Sequence, residues 1–182
     1  GMDADDRRVA RVQMWLAVQS VGVHEEYAPA MALAEEALSR LRRIGDQAGV
    51  AQALNILGEL TRGYGDYERA RAIYEECLAL AKQIGDSLRE QMNLINLGYL
   101  AQHAGEYARA EELFKAALAL AVLMGFRSHI ASSLPILAGA VGAQGYPERA
   151  ARLMAAAEAM MDAMGILFQP ADQIEYDRYK AA

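Results

Sequence analysis

Glycine returns every forty residues along this chain, at Gly45, Gly85, Gly125 and Gly165. Each follows an aliphatic or methionine residue: Ile44, Ile84, Met124 and Met164. Other positions keep the same step. Ala30, Ala70, Ala110 and Ala150 are all alanine, and Tyr27, Tyr67 and Tyr107 align, with Pro147 in the fourth place. A fixed period of this length marks a stack of similar units rather than one globular core.

Two helical patterns alternate within each period. In the second unit Ala51, Leu54, Leu57 and Gly58 form one apolar stripe at steps of three and four. A break at Gly63-Tyr64-Gly65-Asp66 follows, then a second stripe of Ala70, Ile73, Tyr74, Cys77, Leu80, Ala81 and Ile84. The third unit repeats this with Leu94, Leu97 and Gly98, then Ala110, Leu113, Phe114, Ala117, Leu120, Ala121 and Met124. The fourth has Leu134, Leu137 and Ala138 ahead of Ala150, Leu153, Met154, Ala157, Met160, Met161 and Met164. The first unit opens weakly with Met14, Ala17 and Val18 but closes clearly with Ala30, Leu33, Ala34, Ala37, Leu41 and Ile44. No strand-like alternation of comparable length occurs.

The breaks carry capping chemistry. Gly65, Gly105 and Gly145 stand where a left-handed cap ends the first helix of a pair. Asp66 suits the next N-cap, and Pro147 suits a first turn, where a missing N–H costs nothing. Gly45-Asp46 and Gly85-Asp86 repeat the stop-and-cap logic at the other end of each pair. Gly58, Gly98 and Ala138 fall inside first helices, where glycine is unfavourable by roughly 1 kcal/mol against alanine. Their expected purpose is close helix approach, with Ala70, Ala110 and Ala150 opposite.

Composition excludes several function classes. The net charge is −6 and no basic cluster occurs, so direct nucleic-acid binding through phosphates is not expected. The single cysteine, Cys77, permits no intrachain disulfide and no cysteine metal site; a reducing, cytoplasmic setting fits. No apolar run reaches the ~18 residues of a membrane helix, and the first residues lack signal-peptide character. No cofactor is expected: the chain has no Gly-x-x-x-x-Gly-Lys-Ser/Thr phosphate loop, and His24, His103 and His129 lack metal-ligand spacing. No constellation suggests an enzyme.

The motifs resemble the tetratricopeptide repeat. That family has large–x–x–Leu–Gly in the first helix and Ala–x–x–x–aromatic–x–x–Ala in the second. Leu54, Leu57 and Gly58 with Ala70, Tyr74 and Cys77 match, as do Leu94, Leu97 and Gly98 with Ala110, Phe114 and Ala117. The fourth unit degrades to Leu134, Leu137, Ala138, Ala150, Met154 and Ala157, and the first keeps only Ala30, Ala34 and Ala37. The resemblance implies an all-α, right-handed superhelical solenoid of about four helix-turn-helix pairs. The units are residues 7–45, 46–85, 86–125 and 126–165, with a C-terminal capping helix over 166–182 to which Phe168, Tyr176 and Tyr179 contribute. The period of forty exceeds the common 34. This longer form resembles the repeats of MalT-like and LuxR-type bacterial regulators and of signalling ATPases, and the segment from Ala150 to Tyr176 resembles their last repeat.

By that resemblance first helices line a concave groove, which places Trp15, Gln19, Asn55, Glu59, Arg62, Asn96, Tyr99, Gln102 and His103 there. Aromatics beside amides suit a peptide segment or a small regulatory ligand. The family's cationic carboxylate clamp is missing, since the matching positions hold Asn55, Glu59, Ile95, Tyr99, Pro135 and Gly139. The expected function is therefore a non-enzymatic protein-protein interaction or ligand-sensing module. The alternative is a scaffold that homo-oligomerises, as a homodimer, through its terminal methionine and aromatic surface. Glu35-Glu36, Glu75-Glu76 and Glu111-Glu112 are expected on a solvated outer face, and Cys77 as a buried packing residue.

Overall fold

The computed structural model describes residues 2–19 and 27–165. Those residues form helices α1 (Met2–Gln19), α2 (Tyr27–Arg43), α3 (Gln47–Tyr64), α4 (Tyr67–Ile84), α5 (Ser87–His103), α6 (Tyr107–Met124), α7 (Arg127–Ala143) and α8 (Pro147–Met164). No strand occurs among them, so the all-α reading holds. The proposed cap over 166–182, with Phe168, Tyr176 and Tyr179, lies outside the described residues, as does His24.

The helix ends follow from the repeating Gly-Asp pairs. All seven turn glycines, from Gly45 to Gly165, have positive φ between 64° and 96°, a region that side chains with a Cβ rarely adopt. Asp46 accepts a hydrogen bond from the Gly49 backbone N–H at 3.0 Å, Asp66 from Arg69 at 3.2 Å and Asp86 from Arg89 at 3.0 Å. Pro147 opens α8 as its first residue.

The chain divides into two compact units, Gly1–Asn93 and Leu94–Ala182, and the division falls inside α5. In the first unit α1 packs on α2, α2 on α3 and α3 on α4. Its core joins Ala10, Met14 and Ala17 to Ala34, Ala37, Leu41, Leu54, Leu57 and Cys77. In the second unit α6 packs on α7 and α7 on α8. Ala101, Ala110, Phe114, Leu137, Ala140 and Val141 form the core there. Three of the four column alanines, Ala30, Ala70 and Ala110, are at most 1% exposed, while Ala150 is half-buried.

Two expectations need correction. The small residues of the first helices do not chiefly face Ala70 and Ala110. A Cβ built on Gly58 would collide with the ring of Tyr74, and one on Gly98 with the ring of Phe114. Ala70 and Tyr74 are four apart and share a helix face, so periodicity alone does not choose between them. Glu111 is also not on a solvated face. It is 8% exposed and binds Lys115, Arg149 (2.9 Å) and Gln144 (2.7 Å), linking α6 to the start of α8 and the end of α7. The adjacent Glu112 is exposed, as are Glu35, Glu36, Glu75 and Glu76.

Candidate ligand-binding surface

In the first unit five of the expected surface residues sit on two first helices. Trp15 and Gln19 are one turn apart on α1, and both are exposed, Trp15 by 61%. Asn55, Glu59 and Arg62 follow one another at steps of four and three on α3, all half-buried. The repeat period places Trp15 and Asn55 in one register, and Gln19 and Glu59 in the next.

Glu59 is the organised centre of this group. Its Oε1 accepts a hydrogen bond from the Tyr74 hydroxyl at 3.0 Å, and its Oε2 accepts one from Arg62 Nη2 at 2.7 Å. Tyr74 is fully buried, so its ring fixes the hydroxyl and the hydroxyl fixes the carboxylate. Burial, then the Glu59 charge, pushes the Tyr74 hydroxyl far above its ordinary range, so it stays a donor. Burial alone would lower the Arg62 guanidinium, but the Glu59 hydrogen bond and charge outweigh it and hold the group protonated. A pair so arranged presents little net charge. Beside it the Oδ1 of Asn55 is shielded from solvent and has no hydrogen-bond partner.

In the second unit Asn96, Tyr99, Gln102 and His103 lie on α5 at steps of three and four. Asn96 and Gln102 are half-buried and His103 is exposed at the helix end. Tyr99 has a packing role as well: its ring meets Phe114 edge-on, centroids 5.6 Å apart. Asn96 is one position out of register with Asn55, whose counterpart forty residues on is Ile95. The two units thus differ in chemistry. The first offers amides and a charge pair at the register where the second offers Ile95 and Tyr99.

Residues 50–84 and 94–123 match the tetratricopeptide repeat family. These are the two units that place Gly58 or Gly98 against an aromatic ring, Tyr74 or Phe114, of the second helix. No curated protein matches the chain by sequence. Solved structures share the repeat fold at low identity. Aspartyl phosphate phosphatase F from Bacillus subtilis is 14% identical, with a TM-score of 0.82 over 94% of this chain and 44% of its own. A Rap protein complexed with competence and sporulation factor is 16% identical, with a TM-score of 0.77 over 93% of this chain and 46% of its own. A STAND signal transduction ATPase with a tetratricopeptide repeat sensor, from Pyrococcus horikoshii, is 17% identical, with a TM-score of 0.77 over 97% and 26%. The chain therefore spans about half the length of the first two and a quarter of the third.

Among the described residues no cluster of three or more His, Cys, Asp or Glu side chains could hold a metal, and no helix is long and apolar enough to cross a membrane. Cys77 is buried; its thiol donates to the Ala51 carbonyl at 3.1 Å and accepts from Asn93 Nδ2 at 3.2 Å. Sequence reasoning missed the polar role of Tyr74, which it treated only as a core aromatic. The signal was there: Glu59 directly follows Gly58, the residue that admits the Tyr74 ring.

Proposed function

We propose that this chain is a non-enzymatic interaction module whose first-helix surface binds a segment of a partner protein or a small regulatory ligand. The observation that carries it is the unpartnered Asn55 Oδ1 beside the fixed Glu59–Arg62 pair. The acceptor has no partner within the fold, and because Asn55 is only half-buried a turn of its side chain can present it to a donor on a partner. An asparagine amide donates and accepts, as a peptide backbone does, and a turn of the side chain offers both groups to one. Trp15, in the register of Asn55 on α1, supplies apolar contact area at small entropic cost. The low net charge of the Glu59–Arg62 pair favours an internal segment over a terminal carboxylate.

The context proposed is a bacterial transcriptional regulator or signalling ATPase acting in the cytoplasm. It is supported by the forty-residue period and by the fold shared with the STAND sensor and with the Rap protein complexed with competence and sporulation factor. Binding would act by biasing how successive helix pairs pack.

Trp15 is the only tryptophan, so its emission reports on this surface directly. Peptides selected from a random displayed library against the chain are titrated while Trp15 fluorescence is followed. Asn55→Ala is expected to weaken binding about tenfold, the size of one net hydrogen bond to a peptide. The melting temperature should not change. Selected peptides that bind wild type and Asn55→Ala equally would overturn the reading.

A further inference from the structure

We propose that the turn from α6 into α7 is a docking surface for a partner segment that combines aliphatic side chains with a carboxylate. It shares no residue with the first-helix surface. Val122, Leu123 and Phe126 lie within five residues of one another there and are 59%, 80% and 47% exposed. Among the described residues Leu123 is the most exposed large apolar side chain. The Phe126 ring meets His129 of α7 edge-on, centroids 5.4 Å apart, which holds it as a fixed part of the surface. Arg127, exposed, follows directly as the first residue of α7.

The other repeats show that the turn does not need these residues. One and two periods earlier, Val122 and Leu123 correspond to Lys82-Gln83 and Arg42-Arg43, and one period later to Asp162-Ala163. Phe126 corresponds to Asp86 and Asp46, whose carboxylates accept backbone N–H bonds from the helices that follow them. Phe126 makes no such cap. The turn is otherwise the same: Gly125 has φ of 70°, and the Phe126 N–H donates to the Ala121 carbonyl at 3.2 Å, as the Asp86 N–H donates to Ala81 at 2.9 Å. This turn therefore gives up a cap and exposes on the order of 300 Å² of apolar surface with no gain to the fold. A local rule broken without structural return marks a place that serves binding.

Charge selects the occupant. The chain carries −6, yet no Asp or Glu occurs between Glu112 and Glu148. From Ala116 to Tyr146 the one ionised side chain is Arg127, and Lys115 just before them is paired with Glu111. An apolar surface with a single guanidinium is complemented by an apolar segment bearing a carboxylate, whose two oxygens match the guanidinium fork. The excess negative charge of the whole chain works against an anionic bilayer or a second copy in the same place. A patch of this size suits a short segment rather than a broad domain face.

Peptides selected from a random displayed library against the whole chain test this, once sorted for those that bind Asn55→Ala as well as wild type. The sorted peptides should carry Asp or Glu among aliphatic or aromatic residues. Val122→Ser with Leu123→Ser should weaken their binding about tenfold or more, as expected for losing the burial of aliphatic side chains. The melting temperature should not change, since both positions are exposed. Selection on Arg127→Glu should return Lys or Arg in place of the acids. The proposal is overturned if no sorted peptide is found, if the sorted peptides lack acids, if they bind the serine variant equally, or if Arg127→Glu still selects acids. A lowered melting temperature for the serine variant would mean that the chain covers the patch itself. A dimer, or binding to phosphatidylglycerol vesicles, that the serine variant abolishes would name a different occupant. Each of these also overturns it.

Discussion

Gly58 of α3 and Tyr74 of α4 share one volume: a Cβ on the glycine would lie 2.7 Å from Cδ1 and 2.9 Å from Cζ of the ring. Gly98 and Phe114 repeat the relation in the second unit. Where the second helix carries Met154 instead, the first helix carries Ala138. Glycine and aromatic ring are thus one choice made jointly, since a planar ring fills the space only when the facing helix gives up its side chain.

Gly58→Ala is therefore expected to destabilise the protein by about 1–2 kcal/mol. Overpacking costs about 1–3 kcal/mol, and the better helix propensity of alanine returns less than 1 kcal/mol of it. The double substitution Gly58→Ala with Tyr74→Met copies the Ala138–Met154 pairing and should relieve the overpacking, leaving only the loss of about 1 kcal/mol from the missing Tyr74–Glu59 hydrogen bond. Urea unfolding of the three proteins decides it. A single Gly58→Ala that stabilises would show that the ring has room to move.

Glu111 should matter more than the surface acids that share its sequence context. The hydrogen bond from Lys115 comes first among the causes that hold its carboxyl below the ordinary range; burial opposes this, while Gln144 and Arg149 reinforce it. Its stabilising contribution is thus present above the unfolded pKa and is lost as pH falls through the folded one. Glu111→Ala should cost about 1–3 kcal/mol, as for a shielded, charge-assisted hydrogen-bond acceptor. Glu112→Ala, on the exposed side, should stay within about 0.5 kcal/mol. Equal losses at the two positions in thermal melts would sink the distinction.

Much of the fold was legible because its constraints are local. A left-handed turn needs glycine, so Gly45, Gly65, Gly85 and their equivalents announce each helix end. A column of alanines announces a close packing line. Less was legible where two residues satisfy one pattern. Ala70 and Tyr74 share a face, and only the ring's direction shows which meets Gly58. Glu111 and Glu112 look alike in sequence but lie about 100° apart around the helix, so one turns inward toward Arg149 and the other does not. The candidate surface was legible as a set of positions. That Glu59 is held from both oxygens while Asn55 is left with a lone acceptor depends on side-chain rotation, which spacing does not encode.

Tyr74→Phe tests the support behind that surface. The substitution keeps the ring that fills the space at Gly58 and removes only the hydroxyl that donates to Glu59. The expected cost is about 1 kcal/mol, one net hydrogen bond. Glu59 then keeps the Arg62 contact but loses the one that ties it to α4, so peptides selected on wild type should bind more weakly to the variant. Unchanged affinity would mean that the carboxylate needs no support from Tyr74.

Cys77 gives the protein a specific alkaline weakness. Burial is the main cause that pushes its thiol from about 9 up to about 11; the Asn93 hydrogen bond opposes it without cancelling it. A folded pKa raised above the unfolded one means that the native thiol stays protonated while the unfolded thiol ionises. The contribution is fully present below the unfolded pKa and is lost as pH rises through the folded one. Between pH about 9 and about 11 the wild type should therefore lose on the order of 2 kcal/mol more stability than Cys77→Ala, at about 1.4 kcal/mol per unit. The comparison cancels the ionisation of tyrosines and lysines common to both proteins. Parallel stability profiles for the two across that window would show that the thiol is not shielded. The same burial predicts that Cys77 resists thiol-specific reagents at neutral pH in the native state and reacts at once in urea.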